Sequence, residues 1–96
     1  MDHSKLTQIF LESLKEVLIS ANIHIDNLHL DMNIEKDLGL TSQDGLNLAL
    51  TLEDKLGITF PPDYNPFIDD KTGKFLKLKE IIKRLPKFIQ KSKQNV

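Results

Sequence analysis

The stretch Leu46-Asn47-Leu48-Ala49-Leu50-Thr51-Leu52 sets the fold class of this chain. Its strict alternation of leucines reads, on periodicity alone, as a half-buried strand in competition with a helix. Composition decides between them, because the surrounding residues are Leu, Ala, Glu and Lys rather than β-branched. Thr41-Ser42-Gln43-Asp44 fits a capping box, and Gly57 stands where a helix would end. The pattern predicts a helix from about Ser42 to Leu56. A step of about 100° per residue gathers Gln43, Asp44, Asn47, Thr51, Asp54 and Lys55 into an arc of about 120°. Leu46, Leu48, Ala49, Leu50, Leu52 and Leu56 occupy the rest, and so wide an apolar arc belongs to a helix contacted from several sides.

The flanking sequence extends the helical reading. Leu6, Ile9, Phe10, Leu14, Val17, Leu18 and Ala21 form one buried stripe of a first helix, which Asp2 or Ser4 can cap. The periodicity then lapses for about 20 residues, longer than most connections in a small domain, with Ile23, Ile25, Leu28, Leu30, Ile34 and Leu38 available to tack the linker onto the core. Residues 60–75, FPPDYNPFIDDKTGKF, hold three of the four prolines and read as a loop or short turns. A last helix follows, with Leu78, Ile81, Ile82 and Leu85 as its stripe, continued by Phe88 and Ile89 past Pro86, which should kink or interrupt it. The order helix, long loop, helix, Pro-rich loop, helix predicts a small all-α bundle.

At 96 residues the chain is one domain's worth, and folding buries roughly 60 to 65% of the surface its unfolded form exposes. The first twenty residues carry acids within their apolar pattern and lack a secretory core, so the expected location is cytoplasmic. Without cysteine there are no disulfides, thiolate metal sites or thiol nucleophiles, and any thiol chemistry must be imported. A net charge of −1 conceals an asymmetry: residues 1–70 hold 4 Lys against 13 acids, and residues 71–96 hold 9 Lys and Arg against one Glu. Each surface can select its own partner.

Ser42 raises the question of chemistry. A serine nucleophile needs a base, an orienting group and an oxyanion hole, and His3, His24 and His29 form no recognisable arrangement with it. The G-x-S-x-G elbow is absent too. Ser42 does begin a helix, behind a capping residue and a Gly39-containing approach, where helix-start amides favour a phosphate beside the hydroxyl.

The run DLGLTSQDGLNLALTLEDKLGITFP resembles the acyl carrier protein family. That family's signature is Asp-Leu-Gly, two residues, then the serine that receives 4'-phosphopantetheine, followed by a helix ending near Gly-Ile and Pro. Asp37, Leu38, Gly39, Ser42, Asp44, Leu46, Leu48, Leu52, Glu53 and Gly57 match in one register without a gap. The likeness is specific over 37–61 and topological over about 4–86.

The resemblance implies a four-helix bundle of acyl-carrier type with a long first loop and a short or irregular third helix. It makes residues 1–96 a single carrier domain with its core at about 4–86 and a basic extension over 87–96. Ser42 would be the attachment point of a covalent 4'-phosphopantetheine from coenzyme A, placed there by a phosphopantetheinyl transferase with Mg²⁺. The chain itself would be a non-catalytic, monomeric carrier of thioester-bound acyl intermediates that meets acyl-loading and acyl-processing enzymes. Asp37, Asp44, Glu53 and Asp54 would be the acids that partners read, with Thr41, Gln43 and Asn47 on the same surface. Leu46, Leu48, Leu50 and Leu52 would line an acyl pocket.

Three residues depart from the family pattern. Thr41 stands where an Asp is usual, Gln43 where Leu is usual and Asn47 where an acid is common, which points to a specialised fatty-acid, lipid or polyketide-type pathway with its own enzymes. An unmodified carrier-like interaction module is the alternative, and a polyanion-binding helical protein a third. For the last, Lys77, Lys79, Lys83, Arg84, Lys87, Lys91 and Lys93 supply charge without an aromatic stacking pattern, so neither nucleic-acid binding nor stable membrane insertion is expected. His24, Asp26 and His29 lack metal-ligand spacing, and Asp69 to Lys74 reads as a turn rather than a calcium or phosphate loop.

Overall fold

The computed structural model describes residues 2–61 and 65–94, with side chains to residue 90. Among these residues the secondary structure is three α-helices and no strand: α1, His3–Ser20; α2, Ser42–Leu56; and α3, Leu78–Gln94. Asp2 caps α1, its carboxylate accepting from the Lys5 amide at 2.7 Å. At the other end Asn22 takes the left-handed conformation (φ 61°), and the Ile23 amide reaches back to the Leu18 carbonyl at 2.8 Å. Asn substitutes there for the usual glycine because its short polar side chain tolerates that region. Ser13, fully buried in α1, donates its hydroxyl to the Ile9 carbonyl at 2.8 Å.

α1 packs against both α2 and α3. Phe10 and Leu14 meet Leu48 and Leu52 of α2 and Leu78, Ile81 and Leu85 of α3 in one core, all of them essentially without solvent contact. The connecting segments complete it with Ile34, Leu38, Leu40, Phe60 and Phe67. Leu30, expected to tack the first loop down, is exposed instead, and the loop is held through its backbone: the Leu30 and Met32 carbonyls accept from the Lys79 and Leu78 amides at 2.9 Å.

Asn33 is the hub of that loop. Its Oδ1 accepts from the Glu35 and Lys36 amides at 2.8 and 2.9 Å, and its Nδ2 donates to the Phe75 carbonyl at 2.7 Å, tying residues 42 positions apart. Two ion pairs add to the frame: Lys55 with Glu16 between α2 and α1, and Lys79 with Asp31 between α3 and the loop, each at 2.7 Å. The hydrogen bond from Lys79 holds the Asp31 carboxyl below its ordinary range and raises the Lys79 ammonium.

The short third helix is not found among the described residues between α2 and α3; residues 62–64 of the Pro-rich stretch lie outside them. The described part runs as turns with one isolated bridge, Ile68 to Phe75, and a second bridge joins Asn33 to Lys77. Local side chains take the amides that a helix would need. Asn65 Oδ1 accepts from Phe67, Asp69 Oδ1 from Lys71 and Thr72 Oγ1 from Lys74, while Gly73 turns the chain at φ 70°. The turn reading of Asp69 to Lys74 agrees with this geometry.

α3 runs on through Pro86 rather than ending there. Phe88, two residues further on, is buried and sits edge-on to Phe60 at 5.9 Å, so apolar burial holds the turn that lost a backbone hydrogen bond. Arg84 fastens the preceding segment, donating to the Ile68 carbonyl at 2.7 Å with its guanidinium 5.6 Å from the Phe88 ring centre.

Candidate functional site at the start of helix α2

The approach to Ser42 is a single turn over residues 34–38 closed by Gly39 at φ 73°. The Gly39 amide donates to the Glu35 carbonyl and the Leu40 amide to Ile34, at 3.0 and 3.1 Å. Leu38 and Leu40 are both buried at 2% exposure, so the glycine reverses the chain between two anchored leucines and delivers Thr41 and Ser42 to the surface. Asp37 closes the same turn, its carboxylate accepting from the Asn33 amide at 2.6 Å.

Thr41 is the N-cap and the capping box is complete. Its Oγ1 accepts from the Asp44 amide at 3.2 Å, and Asp44 Oδ2 accepts from the Thr41 amide and hydroxyl at 3.0 Å. With those amides consumed, the N–H groups of Ser42 and Gln43 remain as the outward donors of the first turn, at the positive end of the helix dipole. Ser42 itself is exposed.

From Ser42 a cleft of about 350 Å³ runs along α2. One wall is Ser42, Leu46, Ala49, Leu50 and Glu53; the other is built from Phe60, Pro61 and Phe67. The four leucines of α2 therefore divide. Leu46 and Leu50, 53% and 55% exposed, line the cleft, whereas Leu48 and Leu52 are fully buried on the opposite face against the core.

The acids divide as well. Asp44 is engaged in the cap, and Glu53 accepts from the Phe60 amide at 2.6 Å in a partly buried position. Asp54 is exposed, as is Asp37 at the near end. Gln43 and Asn47 are exposed and touch across one turn, Nε2 to Oδ1, at 3.5 Å. Away from this site, His24 and Asp26 pair with each other on the surface at 2.8 Å, and no group of three His, Asp or Glu among the described residues could hold a metal ion. Among the described residues no helix is long and apolar enough to cross a membrane.

The model of the family described as "Phosphopantetheine attachment site" matches residues 5–64, which contain α1 from Lys5 on, the long loop, α2 and the whole approach to Ser42. The chain belongs to this family. No curated protein and no solved structure matches it in the other two comparisons. Phosphopantetheine attachment domains are where 4'-phosphopantetheine becomes covalently attached, and carrier domains of this family are generally non-catalytic.

The residues present fit such a group. An exposed hydroxyl is available for a phosphodiester, it stands at a helix start where first-turn amides favour a phosphate, and a cleft is lined from it along α2. Two features beside the start of α2 were not singled out in the sequence. Asn33 carries no pattern beyond a lone Asx residue, and Gly45 looks like an ordinary helix defect. Gly45 is buried, and a Cβ there would make an ordinary van der Waals contact with the Phe75 ring at 3.8 Å.

Proposed function

We propose that this chain is an acyl carrier protein that takes 4'-phosphopantetheine on Ser42 and holds acyl intermediates on it. The observation that carries the reading is the exposed Ser42 hydroxyl at a fully capped helix start, at the mouth of a cleft in which Leu46, Leu50, Phe60 and Phe67 stand beside polar groups such as Glu53 and Asn65. When bound, the group supplies the thiol that the chain lacks, for thioester formation.

The residues of the chain divide the remaining work. The capping box fixes the first turn, so Ser42 is presented in one orientation to a transferase. The Ser42 and Gln43 amides stabilise the phosphate charge. Leu46 and Leu50 offer apolar surface to the cargo, while Leu48 and Leu52 support that wall from behind. Asp54, which is exposed, can steer basic partner surfaces; Asp37, exposed but bonded to the Asn33 amide, Asp44 and Glu53 contribute charge while serving the fold. The neutral Gln43–Asn47 pair occupies the face between them, which favours a dedicated set of partner enzymes in a specialised pathway over a generic one.

Intact mass after incubation with coenzyme A, Mg²⁺ and a broad-specificity transferase tests the reading. Wild type should gain one phosphopantetheine and Ser42→Ala none. Unchanged wild-type mass across several transferases would favour the unmodified interaction module.

A further inference from the structure

Glu53 sits eleven residues after Ser42, three turns and about 16 Å along α2, and therefore on the same face. It lines the far end of the cleft, and its carboxylate accepts from the Phe60 amide at 2.6 Å. Its carbonyl accepts from the Gly57 and Ile58 amides at 2.9 and 3.1 Å. One residue thus both ends the helix and fastens the chain that returns from it.

What it fastens is the opposite wall. Phe60 lines the same cleft, is 8% exposed and rests edge-on against Phe88 of α3. The next residue, Pro61, has no amide to share. The carboxylate therefore ties the backbone of the Phe60 side of the cleft to α2.

We propose that Glu53 is a positioning residue that latches the Phe60 wall onto α2 and thereby sets how long an acyl chain the cleft accepts. The proposal rests on the attachment of the arm at Ser42. With the latch closed, apolar cargo meets Leu46, Ala49 and Leu50 and is then stopped by a hydrogen-bonded carboxylate that apolar atoms cannot displace without cost. Opening the latch removes the stop and frees the wall to move. The role needs an acceptor oxygen at full glutamate reach, not a negative charge, which separates it from partner docking.

Three variants distinguish the two roles. Glu53→Gln keeps reach and an acceptor but loses the charge; Glu53→Asp keeps the charge and shortens the reach; Glu53→Ala loses both. In the protein without the arm, amide exchange at Phe60 should accelerate about tenfold or more in the Asp and Ala variants and stay near wild type in Gln, with the α1 amides as the internal control. Equal Phe60 exchange in all four proteins would overturn the latch, and the Asp variant remains informative if Ala does not fold.

The second readout uses protein loaded with acyl groups of increasing length, scored by the rate at which hydroxylamine releases them. Wild type and Gln should protect chains up to one length, and Asp and Ala should move that limit. Loaded proteins with the same length profile would defeat the proposal while leaving the carrier reading intact. Failure of wild type to take up the arm would defeat both, although Phe60 exchange would still report the hydrogen bond. A profile following charge, with Asp like wild type and Gln like Ala, would assign Glu53 to docking instead.

Discussion

Thr41 combines two duties at the residue scale: its hydroxyl closes the helix start, and its place before Ser42 exposes it to whatever enzyme modifies the serine. Removing the cap in Thr41→Val should cost about 1 kcal/mol of stability, read from the denaturant midpoint at constant slope. Thr41→Asp preserves an acceptor at the cap but loses the hydroxyl donated to Asp44 Oδ2 and sets two carboxylates side by side, so a loss of about 0.5 to 1 kcal/mol is expected, recovered at acid pH. The capping box was legible in the residues because it depends on four neighbours in sequence. The opposite holds for Asn33, whose side chain joins positions 33 and 75 and leaves no local trace. Asn33→Ala strips acceptors or donors from three backbone groups, and a loss of about 2 kcal/mol is expected in the same denaturant measurement.

Composition and caps located α2 at the scale of the element, from Ser42 to Leu56, because residue propensity and a terminal glycine belong to the segment itself, whereas the leucine alternation fitted a strand equally well. The wide apolar arc did not say which leucines would be core. That required the position of α1, which covers the Leu48 and Leu52 face and leaves Leu46 and Leu50 to the cleft. The segment before α3 was legible as turns but not in its placement: its turns close through single Asx and Thr side chains, and its position is fixed by Arg84 and Asn33 from other elements. The Asp31–Lys79 pair gives this scale a pH test. Because the Asp31 pKa is lowered on folding, its contribution is present above the ordinary carboxylate range and is lost as pH falls through the folded-state value. The difference in melting temperature between wild type and Asp31→Asn should therefore be small, both groups being exposed, and should vanish on acidification. A difference that grows with acid would contradict the assignment.

Over the whole molecule, charge is sorted by element: α2 and its approach present acids, and α3 presents lysines beyond those it needs for the frame. On the proposed carrier reading, the acids around α2 are the surface that partner enzymes meet, apart from the lysines of α3. Asp54→Lys should slow association with a partner enzyme several-fold at low salt, with little change in stability, since Asp54 is exposed. Salt-dependent binding of the protein to anionic vesicles or DNA through residues 77–93 would instead favour the polyanion reading. The central claim is the identity of the attachment point, and fragment-ion mapping of the protein after reaction with coenzyme A and a transferase tests it most directly. The arm should lie on Ser42 alone; an arm on another serine, or none on Ser42, would contradict the account.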